Sequence, residues 1–121
     1  MEGVLISNNK YVYDKYPEDT IYYEEVTYMD ILEKVRNKVH AGHKLLTHPL
    51  SGSVKPNETP YKTIMISKEK NGLCEDSLSI IEESIQTFRK FQNNKKTPDW
   101  NEKILDDFRT IDLSLIENVL E

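Results

Sequence analysis

The sequence predicts a single three-layer α/β domain over residues 1–121, with a four-stranded, mostly parallel sheet, helices on both faces and a helical C-terminus. Two observations lead to this fold class. Short β-branched and aromatic runs alternate with segments whose apolar residues recur at helical spacing, and after residue 74 only helical patterns follow. A chain of 121 residues is long enough for one hydrophobic core but not for two.

Changes in residue type mark the first three elements. Residues 4–6 form a short β-type run that ends in the turn-forming residues 7–9. Residues 10–16 follow as a short helix, which Pro17 closes. A second strand is expected at residues 20–23, where β-branched and aromatic residues follow one another.

A longer helix is expected to begin after Thr27, because Thr27 and Asp30 have the spacing of a capping box. Its apolar residues recur at helical spacing up to Val39, and Gly42 is placed to end it with a left-handed cap. We expect a third strand at residues 44–47, directly after this glycine. Right-handed crossovers would make the first three strands parallel, in the order 2-1-3.

The second half of the chain predicts one more strand and then helices. The fourth strand is expected at residues 61–67, and its direction stays open because a loop without a helix precedes it. The longest helix follows Cys74, with an apolar stripe that runs down to Phe88. A further helix is expected from Thr97 and Pro98, and Asp112 is expected to cap a last short helix.

The polar loop between the third and fourth strands is the most unusual part of the sequence. Residues 48–60 carry three of the chain's five prolines, which restrict the backbone. Ligands of open α/β sheets bind beyond the carboxyl ends of the strands, where the strand order reverses. We therefore predict a polar crevice for a small anion between the ends of strands one and three; the alternative is a purely structural loop. The residues predicted to bind the ligand are Ser7, Asn8, Asn9, Thr47, His48, Ser51, Gly52, Ser53 and Lys55.

Catalytic and metal-binding patterns are scarce. The three histidines lie close in sequence, but a strand at residues 44–47 would hold His43 and His48 about 16 Å apart at ~3.3 Å per residue, too far for one zinc ion. The sequence contains no phosphate-binding glycine loop and no nucleophile elbow. Cys74 lies on an apolar stripe, which is typical of a buried thiol. We expect no metal and no cofactor, and the catalytic residues stay unknown.

Charge limits the classes of partner. The formal net charge is −5, which argues against nucleic acid as the main partner. Residues 43–68 carry four lysines against one acid, whereas residues 97–121 carry seven acids against two bases. The longest apolar runs are too short for a membrane span, and one cysteine excludes an internal disulfide. We expect a cytoplasmic protein without a membrane partner, and the oligomeric state stays open.

The stretch HAGHKLLTHPLSGSVKPNETPYKTIMISK resembles the core of the GrdX family, and the helix after Cys74 and the IDLSLIENVL ending resemble it more loosely. Members of this family are small proteins encoded beside the glycine, sarcosine and betaine reductase genes of amino-acid-fermenting anaerobes. The resemblance implies an accessory role in that fermentation, with reductase components as partners. It implies no activity and no catalytic residues.

The sequence is compatible with three functions. The first is an accessory protein of unknown function that binds a small anion or a reductase component through the loop at residues 47–55. The second is a small enzyme acting on an acyl-phosphate-like or carboxylate substrate, with His48 as acid or base. The third is an assembly factor that docks through its acidic C-terminal helices.

Overall fold

The computed structural model describes residues 1–52 and 54–120. This part of the chain contains three strands and four helices, in the order β-α-β-α-β-α-α. The elements are β1 (Gly3–Ser7), α1 (Lys10–Lys15), β2 (Thr20–Tyr22), α2 (Tyr28–His40), β3 (Thr63–Ser67), α3 (Glu75–Asn94) and α4 (Glu102–Leu120).

The sheet is mixed and has the order β2-β1-β3. The central strand β1 pairs in parallel with β2, where Ile6 lies opposite Ile21. It pairs antiparallel with β3, where Ile6 lies opposite Ile64. The predicted four-stranded, mostly parallel sheet is therefore wrong, although the α/β class holds. The strand predicted at residues 61–67, whose direction the sequence leaves open, is β3 and runs antiparallel to β1.

The strand expected at residues 44–47 is reduced to a single bridge between Leu45 and Ile66. Backbone bonds still join the segment to β3, from the Leu46 N–H to the Met65 carbonyl and from the Ser67 N–H to the Lys44 carbonyl. Side-chain hydroxyls interrupt this ladder, because the Leu45 N–H donates to Oγ of Ser77 and the Met65 N–H donates to Oγ1 of Thr47. The segment lies along β3 rather than along β1. The predicted order, which placed a strand at residues 44–47 next to β1, is consequently wrong, since β3, the strand predicted as the fourth, occupies that place.

Helices cover both faces of the sheet because neighbouring strand residues point to opposite sides. Ile6, Ile64 and Ile66 pack with α2 and α3 in the larger core. Leu5 and Met65 face the other way and pack with α1 and α4 in a smaller core. Each side chain in these two sets is at most 6% exposed, so both faces of the sheet are closed to solvent.

Helix α2 begins and ends where the sequence predicts. Thr27 accepts the N–H of Asp30, whose carboxylate in turn accepts the N–H of Thr27, so the capping box is complete. At the other end, Gly42 has φ +109. The N–H of Gly42 bonds the carbonyl of Val39 and the N–H of His43 bonds that of Lys38, the two bonds of a Schellman motif.

The C-terminal third is simpler than predicted. One helix, α4, replaces the two predicted helices, and Asp112 is buried in its interior instead of capping a new start. Thr97 does not begin a helix, because its N–H and hydroxyl are both bonded to the side chain of Gln92. In the part of the chain that the structure describes, no helix is long and apolar enough to cross a membrane.

Candidate functional site at the carboxyl ends of the parallel strands

Parallel pairing brings the carboxyl ends of β1 and β2 to the same edge of the sheet. Beyond β1 the chain continues into the buried asparagines Asn8 and Asn9. The Asn8 amide donates to the carbonyls of Val26 and Pro60, each at 2.9 Å. Its oxygen accepts the N–H of Lys62 at 3.0 Å. Asn8 thereby fixes the two loops that border this edge of the sheet.

A directed chain of hydrogen bonds runs from Asn9 to Asp112 beneath this edge. The Asn9 N–H donates to Oγ of Ser7, and the Ser7 hydroxyl lies 2.7 Å from Oγ1 of Thr63. The Thr63 hydroxyl donates to Oδ2 of Asp112 at 2.7 Å, which also accepts the Asn9 amide at 3.0 Å. Because each member has its partners, the network holds β1, β3 and α4 in one arrangement.

Two buried charged residues face each other across this network. Burial raises the pKa of Asp112, while the hydrogen bonds from Asn9 and Thr63 and the charge of Lys62 act in the opposite direction. Burial lowers the pKa of Lys62, and the charge of Asp112 partly offsets this shift. Both residues are at most 5% exposed, so each stabilises the charged form of the other where water cannot.

The ammonium of Lys62 is held by Ser51 in the proline-rich loop. Its Nζ donates to the Ser51 carbonyl at 2.6 Å and to the Ser51 hydroxyl at 3.1 Å. Two cavities beside it have volumes of about 20 Å³ and 10 Å³. Such volumes admit roughly one water molecule and not a phosphate or carboxylate ligand. The Lys62–Asp112 region is therefore the support of the site rather than a binding cavity.

An open pocket of about 380 Å³ lies above this support, at the carboxyl ends of β1 and β2. We call it the tyrosine–arginine pocket. Its walls combine three tyrosines with an arginine, a lysine and three glutamates. The residues that line it are Asn8, Lys10, Tyr11, Tyr22, Glu24, Glu25, Val26, Tyr61, Glu102 and Arg109.

Arg109 is fixed between two aromatic rings. Its guanidinium carbon lies 5.7 Å from the ring centre of Tyr11 and 5.3 Å from that of Tyr61. Nη1 donates to Glu102 at 2.8 Å, and this hydrogen bond is the main reason that the pKa of Arg109 is raised. The Arg109 side chain is 16% exposed and that of Glu102 is 77% exposed. The guanidinium is thus held in place, also by Asp106 at 3.9 Å, while its partner Glu102 faces solvent.

Another part of the pocket lining is aromatic and acidic. Tyr22 stacks on Tyr13 with ring centres 5.0 Å apart. Burial and the charge of Glu24 raise the pKa of Tyr22. Glu25 has φ +58, a left-handed conformation that costs a non-glycine residue about 1–2 kcal/mol. Such strain recurs at ligand sites, where the surrounding structure maintains it.

The nine predicted site residues divide into three groups. Ser7, Asn8 and Asn9 belong to the network described above, and Ser51 reaches it through Lys62. Thr47 lines the smaller of the two cavities, and Gly52 lines the larger.

The remaining predicted residues lie apart. His48 is exposed, and its Nδ1 accepts the N–H of Leu50. Lys55 is also exposed, and Ser53 lies outside the described residues. The crevice was predicted between the end of β1 and the end of a strand at residues 44–47. It does not exist in that form, because β3 lies between these two segments. Ligand binding by the nine residues, and catalysis by His48, stay predictions.

Sequence reasoning missed the residues that organise the site, which are Tyr11, Tyr22, Tyr61, Lys62, Thr63, Arg109 and Asp112. One of them had a detectable pattern. Asp112 lies four positions after Phe108 and four before Ile116, on the apolar stripe of a helix. A carboxylate at such a position must find buried partners. The aromatic rings and Arg109 come from distant parts of the chain, so their meeting depends on the tertiary fold.

A protein-family model described as GrdX-like protein matches residues 4–121, nearly the whole chain. No curated protein matches the sequence, and no solved structure matches it.

Proposed function

Because the chain belongs to the GrdX-like protein family, we propose that it is an accessory protein of the glycine, sarcosine and betaine reductase system. Within that role its proposed activity is to bind a small zwitterionic amino acid or N-methylated amino acid in the tyrosine–arginine pocket. The observation that carries this proposal is the position of Arg109 between Tyr11 and Tyr61, in a pocket that Tyr22, Glu24 and Glu25 also line.

The charge of the pocket suits a ligand that carries both signs. Two cations, Lys10 and Arg109, face three carboxylates from Glu24, Glu25 and Glu102. A ligand carboxylate can replace Glu102 on the Arg109 guanidinium, which binds carboxylates with two parallel hydrogen bonds. A lone anion would meet a surplus of negative charge. A ligand with an adjacent cationic nitrogen avoids this repulsion.

The aromatic wall suits a methylated ammonium group. The ring of Tyr22 offers a π face to a cation, an interaction worth ~0.5–2 kcal/mol that needs no N–H donor. Glu24 beside it adds a negative charge. We therefore expect N-methylation of the ligand to be tolerated or preferred, since each methyl group replaces a hydrogen bond with contact to the ring.

The proline-rich loop then has a supporting role. Ser51 holds the ammonium of Lys62, and the Lys62 N–H holds Asn8, which lines the pocket floor. The loop at residues 47–55 therefore acts on the pocket through Lys62 rather than through Lys55 or His48.

Docking through the acidic C-terminal helix has less support. Asp112 is buried, Asp106 accepts a hydrogen bond from Tyr11, and Glu117 pairs with Lys15. These three carboxylates are already bonded within the chain, so the charge that α4 offers a partner comes mainly from the exposed Glu102 and Asp107.

Calorimetric titration of the whole protein with betaine, sarcosine and glycine tests the proposal. Acetate and tetramethylammonium serve as half-ligands, each with one of the two charged groups. We expect the zwitterions to bind in the millimolar range or tighter. Each half-ligand should bind at least about tenfold more weakly, because losing one charged contact worth about 1.4 kcal/mol already lowers the affinity tenfold.

Variants assign the binding to the pocket. Arg109→Gln should weaken betaine binding about tenfold by removing a charge-assisted hydrogen bond, and Tyr22→Leu should weaken betaine more than glycine. The matched control is Arg36→Gln, since Arg36 in α2 forms exposed ion pairs with Glu33 and Glu82, neither of which lines the pocket. Equal binding by the Arg109 and Arg36 variants, or by acetate and betaine, would overturn the proposal.

A further inference from the structure

A second concave surface lies between α2 and α3. It shares Glu25, Val26 and Tyr61 with the tyrosine–arginine pocket, and its other lining residues have no part in the proposed function. It is an open groove of about 750 Å³ whose walls are mainly apolar. The first turn of α2 forms one side, the C-terminal half of α3 forms the other, and residues 59–61 close one end. The residues that line it are Glu25, Val26, Thr27, Tyr28, Met29, Thr59, Pro60, Tyr61, Phe88, Arg89, Gln92, Asn93, Lys96 and Thr97. We call it the α2–α3 groove.

The floor of the groove is made of well-packed aromatic side chains. The rings of Tyr28 and Phe88 lie 4.8 Å apart, and both residues are 4% exposed. Tyr28 is also fixed by its hydroxyl, which donates to the carbonyl of Pro49. A floor held in this way presents a preformed apolar surface, which a partner can cover without ordering it first.

The charge beside the groove is opposite to that of the whole protein. Residues 84–98 contain Arg89, Lys90, Lys95 and Lys96 and no acid, in a chain of net charge −5. All four cations are exposed. Within residues 1–52 and 54–120, none of them forms an ion pair. Arg89 and Lys96 line the groove, whereas Lys90 and Lys95 do not, so the positive surface extends beyond its rim.

We propose that the α2–α3 groove is the docking site for an acidic amphipathic helix of a partner protein. The apolar face of that helix would cover Met29 and Phe88, and its flanking carboxylates would pair with Arg89 and Lys96. Helix-in-groove recognition places apolar anchors at i, i+3, i+4 and i+7. The groove supplies apolar walls for such anchors, and the cations on one side fix the orientation of the helix.

The extent of the positive surface favours a protein segment over a small ligand. A compound bound within the groove would reach Arg89 and Lys96 but would leave Lys90 and Lys95 without partners. Nucleic acid fits less well, because an apolar floor contributes nothing to phosphate binding and the net charge of −5 opposes it.

Selection from a library of random peptides tests this proposal while the partner protein is unidentified. Peptides of about 15 residues span four helical turns and are selected against the whole protein. We expect the recovered sequences to share apolar residues at helical spacing and an excess of Asp and Glu. A recovered consensus without acidic residues would overturn the proposal.

Charge reversal then locates the binding. Fluorescence anisotropy of the consensus peptide is compared for wild type, the double variant Arg89→Glu/Lys96→Glu, and the control Lys68→Glu/Lys70→Glu. The control lysines are exposed and follow the C-terminal end of β3, whereas residues 59–61 of the groove precede its N-terminal end. We expect the groove variant to lose at least about tenfold in affinity and the control to lose less than about twofold, since reversed charges repel the peptide directly. Equal losses would overturn the proposal.

Two further measurements separate the alternatives. Met29→Ser changes the apolar wall without changing the charge and should also lower the affinity for the peptide. The affinity of a purely electrostatic contact would be unaffected. A single-stranded oligonucleotide is titrated into wild type and into the Arg89→Glu/Lys96→Glu variant. We expect the same result for both proteins, because binding that the variant loses would indicate a nucleic-acid site at the groove. Because neither Arg89 nor Lys96 lines the tyrosine–arginine pocket, betaine binding by the groove variant should equal that of wild type. The two proposals can therefore fail independently.

Discussion

Asp112 accepts both polar groups of Thr63: the backbone N–H at 3.1 Å and the side-chain hydroxyl at 2.7 Å. Thr63 is the first residue of β3, and Asp112 lies in the interior of α4. This contact fixes the C-terminal helix, which carries Arg109, against the edge of the sheet that ends at Asn8. The geometry of the tyrosine–arginine pocket therefore depends on a carboxylate that lies beneath it.

Replacing Asp112 with asparagine should destabilise the protein by about 2 kcal/mol. The new amide group would face the donors of Thr63 and Asn9, and a buried donor without an acceptor costs ~1–3 kcal/mol. Denaturant unfolding of Asp112→Asn measures the loss. The matched control is Asp107→Asn, an exposed carboxylate in the same helix, which should change stability by less than about 0.5 kcal/mol. Similar stabilities of the two variants would show that the network is not structural.

The buried Lys62 predicts a dependence of stability on alkaline pH. Its pKa in the folded state is lowered from 10.5 by burial, so the folded protein releases this proton at a lower pH than the unfolded chain does. The contribution of Lys62 to stability is thus fully present above pH 10.5 and is lost as the pH falls through the folded-state pKa.

Comparison with Lys62→Met isolates this contribution from that of the tyrosines. The free energy of unfolding of wild type minus that of Lys62→Met should increase as the pH approaches 10.5. Unfolding curves at a series of pH values measure it. Lys55→Met, at an exposed lysine of the neighbouring loop, is the control. A difference that stays constant with pH would contradict the account of Lys62.

The apolar stripe of α3 predicts a large effect at Ile85. This side chain is 2% exposed in the larger core, so Ile85→Ala should cost ~2–5 kcal/mol through lost contacts and a cavity. Val119→Ala, at a position 50% exposed, should cost less than about 0.5 kcal/mol. Thermal unfolding of both variants gives the comparison, and an unchanged melting temperature for Ile85→Ala would mean that this face does not form the core.

Local rules predicted the parts of the fold that neighbours in sequence determine. The capping box of Thr27 and Asp30 and the glycine cap at Gly42 follow from contacts within a few residues, and both are confirmed. The apolar stripe around Ile81 and Ile85 is also confirmed as buried.

The errors arose where distant residues compete with local preferences. Residues 44–47 have the composition of a strand, but the hydroxyls of Ser67 and Ser77 accept the N–H groups of Lys44 and Leu45. Asp112 has the preference of a helix cap, but its partners are Asn9 and Thr63, far away in the sequence.

The sequence placed its candidate ligand-binding residues partly at the edge of the sheet where the open pocket forms, and ligand binding by them stays a prediction. The asparagines after β1 do lie at the edge of the sheet where the open pocket forms. The cation of the proposed pocket is Arg109, whereas the sequence-based prediction names Lys55. Arg109 reaches the pocket only because α4 packs against α1 and β3, and no short sequence pattern encodes that packing.

The most direct test of the proposed function is a titration of the isotope-labelled protein with betaine, followed by amide proton–nitrogen correlation spectra. The account predicts saturable shifts at the residues that line the tyrosine–arginine pocket, led by Tyr11, Tyr22 and Arg109, which do not line the α2–α3 groove. It also predicts that acetate at the same concentration causes much smaller shifts there. No shift at millimolar betaine, or shifts confined to the α2–α3 groove, would contradict it.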